Sequence, residues 1–375
     1  MDTALPLVPA PALPPVHSAA DADGGGWLRA AEYLVIPLGA LLAALALFSL
    51  FLLLLGQSPA TFAELVWKGG FGTPFSLRNT LQRTPPLVFC ALAVAVPARL
   101  GLTMIGGEGA LVLSGFAAAA VAVPFADGQA PALLVMPLMV LAAALTGAAW
   151  LGIAGWLRHA RQVNETISSL LLSYVAIAIM NFFVEGVMRD PGQPGKASTV
   201  PVAPAYLVGD MPVIGAHWGL AVALLLAFAL FVLMFRTTFG FAARITGGNP
   251  RAALGQGLPV GRLIVTATML AGACAGLGGY FEVAAVQGRA NASLAAGYGF
   301  TGILVSFMAR HHPLAVVPVA LLFAGFSAAG GLVQRRMDLP DAAILLLQSV
   351  IFLVLLLSET LYGRFKLFRA AGARA

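Results

Sequence analysis

The chain has 375 residues, of which 60% are hydrophobic and only 10% charged, against about 25% charged in a soluble domain. With a mean hydropathy of +0.92, that much apolar surface does not fit inside one water-soluble core, so the composition excludes a soluble globular enzyme and requires lipid as solvent. The net charge of +6 is spread over short loops between apolar runs, a pattern that orients helices in a membrane rather than binding nucleic acid.

Taken in order, residues 1–30 are an Ala/Pro-rich tail. Asp2 follows Met1, and Pro6, Pro9, Pro11, Pro14 and Pro15 interrupt the run, so no signal peptide is expected and the tail reads as disordered. A spanning helix needs about 20 apolar residues. The first expected span is 33–55, followed by a polar loop over 57–83. Further spans are expected at 84–96 (extended to 102), 109–124, 131–157 and 166–188. A hydrophilic, proline-rich stretch covers 189–210, and the next span is 218–235. A basic loop, 236–262, precedes a span at 263–286. A short span at 298–308 and two more at 314–333 and 342–357 complete the set. The fold class is therefore an all-α integral membrane protein of about ten transmembrane helices. Its transmembrane domain covers 31–360, and a basic tail covers 361–375. Ten spans put both termini on one side. With the termini in the cytosol, thirteen of the 21 Lys and Arg residues fall inside, in the sense of the positive-inside rule.

Within these elements a few polar groups stand out. Glu108 lies among glycines at the start of a span, where an ionisable group faces a polar cavity or a partner, or else caps a helix N-terminus. Asn164 and Glu165 form a helix start. Ser169, Ser173 and Asn181 follow on one helical face, as a conduit lining or as interhelical hydrogen-bonding groups. Gly272 and Gly276 form a GxxxG that permits close helix crossing. Glu282, near the end of that span, is a further cavity candidate. Gly-rich entries recur before Glu108 and at Gly297–Gly299, as paired broken segments do in the two halves of transporters. In the loop 236–262, Asn249 is placed to cap a short helix with Pro250 at its first position and Gly255 and Gly257 at its end. That helix is either a lever for a motor domain or a plain connector. The best approach to a Walker A run, 191–199, has Asp190 in place of the first Gly and Ala197 in place of Ser or Thr. The chain is therefore expected to hold no cofactor and to be no enzyme. The two cysteines and five histidines give neither a disulfide framework nor metal-ligand spacing.

Four runs resemble permeases of ATP-binding-cassette importers for nucleosides and simple sugars. IGGEGALVLSGFAAA is similar to that family's IGxEGQ…GA segment, and NETISSLLLSY to its NExISTLMLNY. GFAARITGGNPRAALGQGL is similar to its cytosolic loop G…RAxGxNPxAAxxxGI. GYGFTGILVSFMARHHPLAVVPVALLF resembles its GYGFxGIAVALLGxxxP segment. The resemblance spans 79–358 and is closest to the nucleoside-type branch. Met104, Gly107 and Ala110 depart from the family pattern, and the loss of Gln at Ala110 removes a polar group from that segment.

The resemblance implies a permease subunit in a bacterial inner membrane. Asn249, Pro250, Arg251, Ala252, Ala253, Leu254 and Gly255 become its coupling helix. The implied partners are two ATPase subunits that hold ATP and Mg, an extracytoplasmic binding protein, and a second permease, as a heterodimer or a homodimer. The substrate path would draw on Glu108, Ser169, Ser173, Asn181 and Glu282. Two rival classes differ in their needs. An ion-coupled secondary transporter needs titrating intramembrane carboxylates, and a lipid-linked transferase needs clustered acids or histidines at one membrane face. The topology is checked by reporter fusions. A reporter at Gly363 is expected to be active only as a cytosolic fusion, and one at Gly195 only as an exported fusion; a cytosolic signal at Gly195 overturns the assignment.

Overall fold

In the computed structural model the described residues are 26–359, apart from 194, 213 and 341. Of the expected tail 1–30, residues 1–25 lie outside them and 26–30 belong to a helix; the expected tail 361–375 lies outside them. Two compact units are present among the described residues, dividing between Phe48 and Ser49 and again between Ser349 and Val350. Thirteen α-helices are described: α1 Gly26–Leu54, α2 Pro59–Gly70, α3 Pro74–Ala98, α4 Gly107–Ala122, α5 Ala132–Arg161, α6 Glu165–Glu185, α7 Gly219–Arg236, α8 Thr238–Gly248, α9 Pro250–Gly255, α10 Val260–Phe281, α11 Tyr298–Met308, α12 Pro313–Met337 and α13 Ala342–Glu359. Only two isolated β-bridges, Ser198–Asn291 and Asp210–His217, occur among the described residues.

Among the described residues seven helices are long and apolar enough to cross a membrane, and the α1–α2 pair, broken at 55–58, makes eight. The protein is therefore an all-α, multi-pass membrane bundle, with fewer full spans than the ten expected. The expected eighth span is the difference of most interest. α11 has 11 residues and is about 16 Å long, half the hydrocarbon thickness. Gly297 at its start has φ +83°, and Arg310 and His311 just past its end have φ 51° and 54°. These left-handed residues stop the helix on both sides, which an apolar run alone does not reveal. The expected tenth span is likewise a shorter apolar helix, Ala342–Ser358.

The expected polar loop over 57–83 is also different: it holds α2 and the first turns of α3. Each start has a hydroxyl cap followed by proline. Ser58 Oγ accepts from Thr61 N, and Thr73 Oγ1 accepts from Ser76 N at 3.0 Å. Their polar side chains are absorbed by main-chain carbonyls, because Ser76 Oγ donates to Lys68 O and Thr80 Oγ1 to Gly70 O, both at 2.7 Å. From Thr84 to Pro97 every residue of α3 is buried. A helix apolar on all sides belongs in the centre, and α3 packs against α10, α11, α12 and α7.

α5 and α10 meet with almost no side chain between them. A Cβ on Gly272 would overlap the Gly147 carbonyl, and one on Gly276 would overlap that of Ala143. The GxxxG of α10 thus has its partner in α5. On its other side α5 leaves Leu133, Leu134, Leu138, Leu141 and Leu145 exposed, a surface that suits lipid or another apolar chain. Gly272→Val is expected to separate these helices and cost at least about 2 kcal/mol, read as a lowered thermal midpoint of the detergent-solubilised protein. An unchanged midpoint would show that the crossing tolerates side chains.

Candidate translocation path and ATPase-facing loop

Two helices begin inside the bundle rather than at its ends. Before α4, residues 102–105 are not helical. Their main chain is held by α6: Ile105 N donates to Ser169 Oγ at 3.0 Å, and Thr166 Oγ1 donates to Thr103 O at 2.8 Å. One turn further on, Gly109 N donates to Ser173 Oγ at 3.4 Å. The sequence places α6 where it can do this. Asn164 Oδ1 accepts from Thr166 N and Ile167 N at 2.9 and 3.1 Å, and Arg158 pairs with Glu165 at 3.2 Å, fixing the corner after α5. Ser169 and Ser173 are fully buried, and each hydroxyl accepts a main-chain N–H of the segment that enters α4.

The second broken start is that of α11, and Glu108 joins it to the first. The Glu108 carboxylate accepts from Gly297 N at 2.7 Å and from Gly299 N at 2.5 Å. It serves as the cap that α11, which has no side-chain cap of its own, would otherwise lack. The side chain is 1% exposed. Its negative charge sits against the positive end of one helix while belonging to the first turn of another, a favourable place in each. A Cβ on Gly299 would overlap the Glu108 main-chain nitrogen, so only glycine permits this approach. The entry to α11 is also strapped from the proline-rich stretch, where Thr199 N and Val202 N donate to Ala290 O and Gly288 O at 2.9 and 2.8 Å.

Glu282 opens a π-helical turn, Glu282–Gln287, at the end of α10. One carboxylate oxygen accepts from Gln287 Nε2 at 3.0 Å, whereas Oε2 is buried with no partner. Asn181 is half-buried, about two turns beyond Ser173 on α6. Neither joins the Glu108 junction by a hydrogen bond. At one end of the bundle a polar groove of about 830 Å³ is lined by Lys68, Thr73, Ser76, Asn79, Arg83 and Arg335, among others. No expectation covered it, because one of its walls lies in the stretch read as a loop, the other being the end of α12. The Ser58–Pro59 and Thr73–Pro74 pairs were the signals that could have found it.

The basic loop 236–262 contains α8 and α9. Asn249 Oδ1 accepts from Arg251 N and Ala252 N, both at 3.1 Å, with Pro250 in the first turn. Gly257, at φ +78°, ends the element. Arg251, Ala252, Leu254 and Gly255 are exposed, Leu254 by 60%, but Ala253 is fully buried in its own chain. Behind α9, Gly247 packs on the main chain of Arg99, Leu100 and Gly101. The loop therefore touches the end of α3, where the chain turns toward the broken start of α4.

Residues 76–359 match a family described as branched-chain amino acid transport system / permease component. A glucose ABC transporter permease protein of Haloferax volcanii is 34% identical over 333 residues, covering 86% of this chain and 87% of that one. A guanosine ABC transporter permease protein of Bacillus subtilis is 31% identical over 330 residues, covering 86% and 92%. The chain is an ABC-transporter permease. A second guanosine permease protein of Bacillus subtilis is 26% identical to it, covering 74% of this chain and 89% of that one. The permease is the transport subunit of an importer. Among its described residues no group of His, Cys, Asp or Glu is arranged to hold a metal ion.

Glu108→Gln in the permease puts an amide where two N–H donors require acceptors. A loss of about 1–3 kcal/mol is expected, with Glu108→Asp also impaired because the shorter side chain does not reach Gly297. Thermal unfolding of the purified variants measures it, and a parent-like midpoint for Glu108→Gln would remove the junction from the stability of the fold.

Proposed function

We propose that the permease carries a nucleoside or a simple sugar across a bacterial plasma membrane by alternating access, with both of its termini in the cytosol. The observation that carries this reading is the pair of relatives above 30% identity, one for glucose and one for guanosine, each covering 86% of the chain. Two ATPase subunits that hold ATP and Mg supply the energy, and an extracytoplasmic binding protein delivers the solute. A second permease chain completes the pore. The two guanosine permease proteins of Bacillus subtilis, both related to this chain, favour a heterodimer.

The contacts suggest how force is passed. In this reading α9 is the coupling helix, with Asn249 and Pro250 shaping it and Arg251, Ala252, Leu254 and Gly255 meeting the ATPase. Ala253 fastens it to the permease. A displacement of α9 reaches the end of α3 through Gly247, then the non-helical stretch before α4, then Glu108 and α11. ATP-driven closure of the ATPases selects between two arrangements of these broken helices, which is differential stabilisation rather than chemistry. Ser169 and Ser173 hold the moving main chain. Glu282, with one unpartnered carboxylate oxygen, and Asn181 are the groups left for solute hydroxyls along the path, and Glu108 borders it.

Proteoliposomes containing the assembled transporter and its binding protein are expected to accumulate labelled guanosine or glucose only with internal ATP and Mg. Accumulation of neither, alongside uptake of a branched-chain amino acid, overturns the substrate class. Leu254→Arg is expected to reduce solute-stimulated ATP hydrolysis at least tenfold, roughly the 1.4 kcal/mol or more lost when a buried contact is replaced by an unpaired charge, with the permease still folded. Ala253→Arg is expected to destabilise the permease itself. Parent-like stimulated hydrolysis by Leu254→Arg would place force entry elsewhere.

A further inference from the structure

Three helices long and apolar enough to cross a membrane, Pro74–Ala98, Gly219–Arg236 and Pro313–Met337, end or begin at one cluster of arginine, histidine and aromatic side chains. Arg99 follows the first, Phe235 lies in the last turn of the second, and His312 precedes the third. The Arg99 guanidinium carbon stands 4.4 Å from the centroid of the Phe235 ring, and that of Arg244, from α8, stands 5.8 Å from the same centroid. The His312 ring contacts Phe231 and Phe235 at 5.5 and 5.0 Å. Burial, and after it the positive charge of Arg99, holds His311 and His312 below the usual imidazole range.

The two arginines concentrate positive charge with no carboxylate paired to either among the described residues, and Arg99 Nε is buried with no hydrogen-bond partner. Two like charges over one ring repel each other. An aromatic face offsets only part of the cost of a desolvated guanidinium. An anion with several oxygens, held by two guanidinium groups, supplies both the missing charge and the missing acceptor.

We propose that Arg99 and Arg244 bind the phosphate of an anionic phospholipid in the leaflet on the α9 side. Depth favours a lipid over a protein carboxylate. The cluster lies where three spans end, at the level of headgroups, with Phe231, Phe235 and His312 as interfacial rings. On α8, Phe241 is 65% exposed and stands three residues before exposed Arg244, on the same helical face. A helix that offers an aromatic ring to acyl chains and a guanidinium to phosphate is built to lie in that interface. Bound there, the lipid tethers α8, and with it the loop that continues into α9, to the end of α3. This goes beyond the transport function proposed above and does not depend on which solute is carried.

The test uses the assembled transporter in nanodiscs of phosphatidylcholine with phosphatidylglycerol, followed by delipidation and mass spectrometry of what remains bound. The parent is expected to retain phosphatidylglycerol. Arg244→Gln, at an exposed position that does not endanger folding, and Arg99→Gln are each expected to weaken retention by about fivefold to tenfold. Arg236→Gln, outside the pair, is expected to retain it. Inorganic phosphate is expected not to displace the lipid; displacement would assign the site to a free anion and overturn the lipid. Unchanged retention in both variants overturns the proposal. So does loss of the ATPase subunits with retention intact, which would make the cluster a protein contact.

Discussion

A carboxylate that is 1% exposed at membrane depth has to find its solvation inside the protein, and Glu108 finds it in the main chain of a helix that begins 190 residues later. Two N–H groups, those of Gly297 and Gly299, take the place of water. The arrangement solves two problems at once. Non-helical main chain inside a bilayer is tolerated only where its polar groups are satisfied by protein or by a cavity. Here the exposed first turn of α11 receives the carboxylate, and the stretch leading to α4 receives the hydroxyls of Ser169 and Ser173. The broken helices, the polar face of α6 and the glycines at 297 and 299 form one interdependent joint. Removing any member leaves a buried donor or a buried charge without a partner.

How much of this was readable beforehand depends on whether the partner was local. The start of α6 was readable, because Asn164 caps residues two and three positions on. So was α9, from Asn249 and Pro250. α2 and the early part of α3 were missed, since the polar composition of 57–83 outweighed the Ser58–Pro59 and Thr73–Pro74 signals. The hydroxyls that make this stretch look like a loop instead turn inward to carbonyls at Lys68 and Gly70. The partner of Glu108 had no local trace. Only the repeated glycine-rich entry marked two distant segments as alike, and likeness does not imply contact. The burial of Ala253 was illegible for another reason. A helix of six residues has too few turns for periodicity to say which side faces its own chain.

In the permease, main chain is unwound inside the bundle, where unwound main chain is costly. Keeping the unwound stretches short, and borrowing acceptors from a neighbouring helix, limits that cost. The hydrogen bonds at Ile105 and Gly109 are made by small hydroxyls on a single helix.

The contact between α5 and α10 has the opposite character. With main chain against main chain at Gly147, Gly272 and Gly276, there are no long side chains to swing aside and no slack to absorb sliding. The two helices therefore form a keel. Any change of shape in this part of the molecule has to carry α5 and α10 together as one piece.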